Sequence, residues 1–466
     1  MFCEVLLMGI QLHRECLHDF KLWFKRKGGR KPLLIRGARQ TGKTTAIRMF
    51  TEECGLTLIE LNMEKKWGFA SLFQNNDPRK VIEAIELELN CDIDPETTLL
   101  FFDEVQASPA LLALLRYFYE EIPEYAVVAT GSLLEFVLAS PEFSLPVGRI
   151  ELYHMGPFSF EEFLSALDNK RALKYIRNCT IDDPVSSAVH DQLNMLTRLY
   201  MVVGGMPESI TTYKESNSLR EVERIKSGII ETFILDFNKY GSKANPVLLR
   251  KIFAALPAML GRKVVYSNID PHVRSKDLAP ALDQLCLAKV VSKVFHSAAN
   301  GLPLAAEVND RFFKPLLLDV GLLLTQLHLN PVDVEHAEDI NFVNRGSLAE
   351  QFIGQQLYHM APSYRDPELY YWAREKKGAS AEVDYICVDG HTRIVPVEVK
   401  SGKTGSLRSL QTIMQEKGFG VALRFNSAAL SVVSEARVTP KGPAAYQLLS
   451  LPHYLVQQVN RLLELL

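Results

Sequence analysis

Apolar and polar positions change their spacing several times along the chain, and the changes mark out its elements. Leu12, Cys16, Phe20, Trp23 and Phe24 recur near helical spacing over residues 12–28, and Gly28-Gly29 ends that run. Pro32 to Ile35 forms a short apolar run, Gly37 to Lys43 a glycine-bounded loop, and Thr44 to Cys54 a helix. Further strands are predicted at 56–61, 98–102 and 126–129, with helices at 81–89 and 110–120. Each strand is apolar almost throughout, and strands alternate with helices. That pattern predicts an α/β unit with a parallel sheet covered by helices on both faces, closing near residue 165.

The pattern then turns helical over 166–240, interrupted at Gly204-Gly205-Met206-Pro207, which reads as a helical lid. Residues 241–330 read as a small helical unit with a wing. A helix over Asp277–Ala288 precedes two strands, Val290–Phe295 and Leu304–Val308, paired across Asn300-Gly301. A polar stretch at 325–345 is predicted as a linker. The last unit, 345–466, is predicted as α/β: a helix from Ser347 to Met360, strands at 369–373, 382–388 and 393–399, and a helix from Leu407.

Composition narrows the class of protein. The 466 residues are 47% apolar and 23% charged, which excludes a disordered or collagen-like chain. With 52 basic and 55 acidic residues the net charge is −3, so no general basic coat for nucleic acid exists, although a local patch is allowed. The seven cysteines (Cys3, Cys16, Cys54, Cys91, Cys179, Cys286, Cys387) form no C-x-x-C pair, which argues against a zinc site or a disulfide framework. Met1 to Gln11 is mildly apolar, but Glu4 interrupts it and His13, Arg14 and Glu15 close it, unlike a signal peptide. No run is long enough to span a bilayer. A cytoplasmic location, with no membrane partner, is expected.

Three motifs carry candidate chemistry. Gly37-Ala38-Arg39-Gln40-Thr41-Gly42-Lys43-Thr44, followed by Thr45, fits G-x-x-x-x-G-K-[ST] between a strand and a helix. Such a loop turns backbone N–H groups toward phosphates, and the helix N-terminus adds positive potential. Lys43 is expected on the β- and γ-phosphates and the Thr44 hydroxyl on Mg²⁺, while Arg39 is expected to be exposed. Leu99 to Glu104 is an apolar strand ending in two acids: Asp103 is the candidate Mg²⁺ ligand and Glu104 the candidate general base. The next strand ends in Thr130-Gly131-Ser132. Either hydroxyl could orient the attacking water, and Ser132 could instead cap the following helix.

Together these residues resemble the AAA+ superfamily. They are similar to prokaryotic P-loop ATPases that carry a C-terminal domain of uncharacterised role. The resemblance also rests on Gly148-Arg149, on Pro157-Phe-Ser-Phe-Glu-Glu162 and on Gly204-Gly-Met-Pro207. It implies ATP and Mg²⁺ as cofactors and Thr130-Gly131-Ser132 as sensor 1. It also implies that Arg149 stabilises transition-state charge, in its own chain or from a neighbouring copy, which leaves a homo-oligomer open. The alternative for Arg149 is a structural ion pair.

In the last unit, Glu382 and Asp384 share one face of a strand, and Glu398 and Lys400 share a face of the next. The arrangement resembles the PD-(D/E)XK nuclease fold, with Asp384, Glu398 and Lys400 as motif residues, Glu350 as a further carboxylate and Gln411 on the following helix. Ala381 stands where that fold's name-giving proline is absent. Asp384 and Glu398 could hold a second Mg²⁺; the alternative is ordinary pairing of charged strand residues. The middle unit resembles a winged helix, with Arg274, Lys276, Lys289, Lys293 and Arg311 as its basic residues, which leaves DNA open as a partner. Asp319 and Gly321 read as turn and cap residues.

The expected function is a Mg²⁺-dependent ATPase coupled to a nuclease-like domain. The rival is a nucleotide-operated switch or scaffold whose nuclease-like domain does not cut. A chaperone-like motor ranks last, since no second phosphate loop stands out.

Overall fold

The structure, a computed structural model, describes residues 12–139, 148–240, 245–329, 345–376, 379–390, 392–439 and 442–466. The apolar start, Met1 to Gln11, and most of the predicted 325–345 linker lie outside the described residues.

The first unit is built on five parallel strands: β1 (Leu33–Arg36), β2 (Thr57–Asn62), β3 (Thr98–Asp103), β4 (Ala126–Gly131) and β5 (Glu151–His154). Their order across the sheet is β2-β3-β4-β1-β5. Successive strand residues point to opposite faces, and both faces are buried. Leu33, Ile35, Leu99, Phe101 and Val128 pack on one side under the helices Cys16–Lys25 and Lys43–Cys54. Leu34, Leu100, Phe102 and Val127 pack on the other against Leu111, Leu115 and Phe118 of the helix Pro109–Glu121. The near-continuous apolar character of these strands follows from this two-sided burial.

The expected strands and helices of this unit all form, with ends shifted by a few residues. Strand order is the part that only long-range pairing decides. β4 lies between β1 and β3, in register Ile35↔Thr130 and Phe102↔Ala129. The loop after β1 and the ends of β3 and β4 therefore meet at one edge of the sheet, where ligands of open α/β folds bind.

Beyond it, the helices Ser187–Val203, Pro207–Ser216, Leu219–Asp236 and Pro246–Ala255 form a helical middle region. Eight strands follow: β6 (Val291–Ser297), β7 (Val308–Leu317), β8 (Leu369–Lys376), β9 (Ala379–Val388), β10 (Ile394–Val399), β11 (Val421–Asn426), β12 (Ser431–Thr439) and β13 (Gly442–Pro452). They make one mixed sheet in the order β12-β13-β11-β10-β9-β8-β6-β7.

Two expectations change here. Residues 304–307 are a 3-10 turn, and the strand runs through Val308–Leu317, well past the predicted end. The pair β6–β7 is also no free wing, because β6 runs parallel to β8 with Val294 opposite Leu369. Wing and C-terminal unit thus share one sheet. They also share a core: Leu249 and Leu282 of the middle region join Val397, Leu423 and Phe425 of the sheet. The strands after residue 417 had no prediction, since β11 and β13 carry too little period to separate from loop.

Candidate functional site

The loop after β1 owes its shape to glycine. Gly37 has φ 149°, and a Cβ there would fall 2.1 Å from the Met155 carbonyl oxygen. Gly42 has φ 87° and precedes the helix Lys43–Cys54. Arg14 braces the loop from outside the motif. Its Nη1 donates to the Thr41 carbonyl at 3.1 Å and its Nε to Glu162 Oε1 at 2.9 Å. Glu162 also closes a capping box with Ser159 at the helix Phe160–Ala166. The Pro157–Glu162 motif therefore does structural work beside the loop. Sequence reading missed Arg14, which showed there only as one of the three polar residues, His13, Arg14 and Glu15, that close an apolar run.

The Lys43 ammonium donates to the Gly37 carbonyl at 3.0 Å and the Ala38 carbonyl at 2.7 Å. The side chain is only 8% exposed. Burial pulls its pKa down to about 8, with the Glu104 and Asp103 carboxylates pulling the other way and Arg39 adding to the fall. Thr44 Oγ1 donates to Asp103 Oδ2 at 2.9 Å, so a hydroxyl and a carboxylate suited to Mg²⁺ sit side by side. Asp103 Oδ1 accepts from the Glu104 N–H at 3.0 Å and from the Thr130 hydroxyl.

Glu104 is half-buried, with φ 53° in the left-handed region, a strained setting for a residue other than glycine. Its Oε2 accepts from Gln106 Nε2 at 2.6 Å and from Ser132 Oγ at 3.1 Å. Ser132 also accepts from Arg39 Nε at 3.0 Å. The helix Leu134–Leu138 receives no side-chain cap, so Ser132 serves the acid cluster and not that helix. Arg39 departs from expectation too: it is partly buried and pairs with Asp236 at 2.7 Å. Gln40 and Thr45 are exposed beside the loop.

Lys43, Thr44, Asp103, Glu104, Thr130 and Ser132 are thus brought together, whereas Arg149 is not. Arg149 Nε meets Glu120 Oε1 at 2.6 Å on the exposed surface, where Arg116 also holds Glu120. That is the ion pair weighed as its alternative.

Next to the loop lies a cavity of about 330 Å³, walled by Leu12, Ala46, Met49, Phe158 and Pro207 with Thr45 and Glu208 at its polar side. Pro207 packs against the loop: a Cβ on Gly42 would be 3.3 Å from its Cγ. Two residues back, the Gly205 N–H donates to Asp319 Oδ2 at 2.7 Å, and Gln355 Nε2 donates to the same oxygen at 3.2 Å. Asp319 is fully buried and caps the helix Val320–Gln326 through the Leu322 N–H. A Cβ on Gly204, at φ 81°, would collide with Asp319 Oδ1 at 2.2 Å. The cap reading of Asp319 holds, and the residue also joins the Gly204–Pro207 segment to the helix Arg345–His359.

A second cluster of charge lies in the C-terminal sheet. The Lys314 ammonium, on β7, meets Glu382 Oε1 at 2.6 Å, Glu350 Oε1 at 3.0 Å and Asp384 Oδ1 at 3.8 Å. Asp384 Oδ2 accepts from the Val399 N–H at 2.7 Å. Lys400 pairs with Glu398 Oε1, while Glu398 Oε2 is buried with no hydrogen-bond partner. Burial pushes both Glu350 and Glu398 up to about 7. Among the described residues no three His, Cys, Asp or Glu side chains are grouped to hold a metal. Gln411 lies on the helix Arg408–Lys417, half-buried. Lys314 was missed from sequence. Its signal is one charge inside the apolar run Phe312-Phe313-Lys314-Pro315-Leu316.

Of the basic residues in the middle unit, Arg274 pairs with Asp277, Lys289 with Asp366 and Lys293 with Asp283. Much of the expected positive character is therefore spent on neighbouring acids. No helix among the described residues is long and apolar enough to cross a membrane.

Family models match three stretches of the chain. Residues 29–164 match the family described as AAA domain. Residues 195–333 and 345–453 match two families described as domains of unknown function, DUF8612 and DUF4143. No curated protein matches. Among solved structures, the chain is similar to the Aeropyrum pernix ORC1 protein in complex with DNA, at 12% identity and TM-score 0.32, over 69% of this chain and 93% of that one. It is similar to the Thermotoga maritima RuvB Holliday junction branch migration motor at 14% identity and TM-score 0.28, over 61% and 90%. It is also similar to C. elegans PCH-2 at 15% identity and TM-score 0.26, over 44% and 61%. Likeness at this level carries no argument about this chain. The match of residues 29–164 to the AAA domain family implies a P-loop NTPase.

Proposed function

We propose that the protein is a Mg²⁺-dependent ATPase of the AAA class that passes its nucleotide state to a nuclease-like C-terminal region. The observation that carries the reading is Lys43, a buried ammonium whose hydrogen bonds go to neutral loop carbonyls 3.0 and 2.7 Å away. Phosphate oxygens would match that charge better than carbonyls do. The loop from Gly37 to Thr45 would wrap the phosphates, and the apolar cavity against Met49 and Pro207 would seat the base. A Mg²⁺ held by Thr44 and Asp103 would neutralise phosphate charge. Glu104 would take the proton of the attacking water, held in place by Ser132 and Gln106. Exposed Arg149 would serve only across a contact between copies, the form in which a homo-oligomer would matter.

The contacts from Gly42 through Pro207 and Gly205 to Asp319 and Gln355 support coupling to the C-terminal sheet. There the order helix, three strands, helix, strand from Arg345 to Asn426 supports a nuclease-like fold. Asp384 and Glu398, with Lys400 beside them, are the pair that could hold a second Mg²⁺. One observation favours the rival reading, a nucleotide-operated switch with an inactive nuclease-like domain: Lys314 already sits among those carboxylates.

Lys43→Ala tests the core of the proposal. It removes hydrogen bonds from a charged donor worth roughly 1.5–3 kcal/mol each, so nucleotide affinity should fall about 10²-fold. An unchanged Kd in a folded variant would sink the assignment.

A further inference from the structure

Lys314 reaches its position from β7, outside the stretch from Arg345 onward that carries the carboxylates. Its side chain is 2% exposed, and its ammonium lies within 4 Å of three carboxylates from two elements. Glu350 comes from the helix Arg345–His359, and Glu382 and Asp384 from one face of β9. The Tyr371 ring adds its face 5.2 Å from the ammonium. An ammonium is a compact charge with three donors, so it can meet several carboxylates at once. Divalent cations are held by the same oxygen ligands.

We propose that Lys314 is the resident cation of this cluster, standing in for a divalent metal and keeping the native site metal-free. The inference rests on the reading of Asp384 and Glu398 as a metal-site pair, and it adds what controls that site. Close carboxylates repel unless a cation lies between them. With the ammonium gone, Glu350, Glu382 and Asp384 face one another unpaired. The buried Glu398 Oε2 supplies one more free ligand nearby. With the ammonium among them the acids are not grouped for a metal; without it those oxygens could close on a hard cation, a place the chain fills with a lysine from the edge strand of the same sheet.

The test is Mn²⁺ binding to the full-length protein without nucleotide, read from the electron paramagnetic resonance signal of free Mn²⁺. The wild type should take up no Mn²⁺ that depends on Asp384. Lys314→Met keeps the side chain's length and loses its charge. It should bind one Mn²⁺ per chain and melt several degrees higher with Mn²⁺ than in chelator. Adding Asp384→Asn to Lys314→Met should abolish both effects. Should Lys314→Met fail to fold, the same measurement on Lys314→Met with Glu382→Gln, which leaves one charge fewer unpaired, replaces it. Wild-type Mn²⁺ binding that Asp384→Asn removes would overturn the inference while leaving the metal-site reading intact. A folded Lys314→Met variant that binds no Mn²⁺ would overturn both.

Discussion

Lys43 and Lys314 are both buried ammonium groups near carboxylates, yet they end in opposite electrostatic states. Lys43 donates to the Gly37 and Ala38 carbonyls, and burial outweighs the attraction of Glu104 and Asp103, so its pKa falls to about 8. Lys314 is as deeply buried, but Glu350, Asp384 and Glu382 surround it and raise its pKa above that of free lysine. What decides between the two is whether the acids touch the ammonium. In the loop, the acids bind one another's neighbours: Asp103 takes Thr44 and Thr130, and Glu104 takes Gln106 and Ser132. The lysine is left with neutral acceptors and a charge that an anionic ligand can meet. In the sheet, the acids spend their charge on the lysine. The first site is electrostatically open, and the second is closed by its own chain.

The largest effect expected from that difference is on turnover. Glu104 forms no ion pair among the described residues of the open site, so it can accept a proton. Glu104→Gln keeps both side-chain acceptor contacts within reach but cannot take the proton, and hydrolysis should fall about 10²–10⁴-fold with nucleotide still bound. Steady-state turnover within about threefold of wild type would remove Glu104 from the role and blur the contrast between the sites.

A smaller effect lies in pH. Lys43 has a pKa of about 8 in the free protein. Bound phosphates would favour the ammonium and raise that pKa. Nucleotide binding should therefore take up a proton above pH 8, with affinity complete below that point and falling as pH rises, by at most about tenfold per pH unit. Kd measured by calorimetry from pH 7 to 9.5 checks the slope, and a flat profile would show that Lys43 is already charged and satisfied. Lys314, with its pKa raised, should contribute no titration in the same window.

The smallest effect concerns Arg149, the charge that joined neither site. Bonded to Glu120 on the open surface, it should tolerate Arg149→Ala with no measurable change in Tm and little change in turnover at low protein concentration. A loss of turnover that appears only as concentration rises would give it a partner site on a neighbouring copy.

Sequence reading reached the phosphate loop and its acids because these parts are local. A strand, a glycine loop and a helix follow one another without a break, and the acids end a single apolar strand. The same applies to Asp384 and Glu398, which lie on two adjacent strands joined by a short turn, and to Lys400 just past the end of the second. Reading left alternatives open where the partner was distant. Arg149 carries a motif but not the position of Glu120, and Ser132 looks like a helix cap until Glu104 lies across from it.

By itself, then, the sequence determined four of the five strands of the first unit and the helices Lys43–Cys54, Pro78–Leu89 and Pro109–Glu121, its two-sided burial, and the phosphate loop with its acids, because period and spacing encode local geometry; the edge strand β5 had no prediction. Only the tertiary structure decided that β4 lies between β1 and β3, that β6 and β7 belong to the C-terminal sheet, and that Lys314 enters the carboxylate cluster. Strand neighbours are chosen by burial across the whole core, and a long charged side chain pairs with whatever acid the fold brings within about 4 Å. Neither choice leaves a trace in the spacing of residues along the chain.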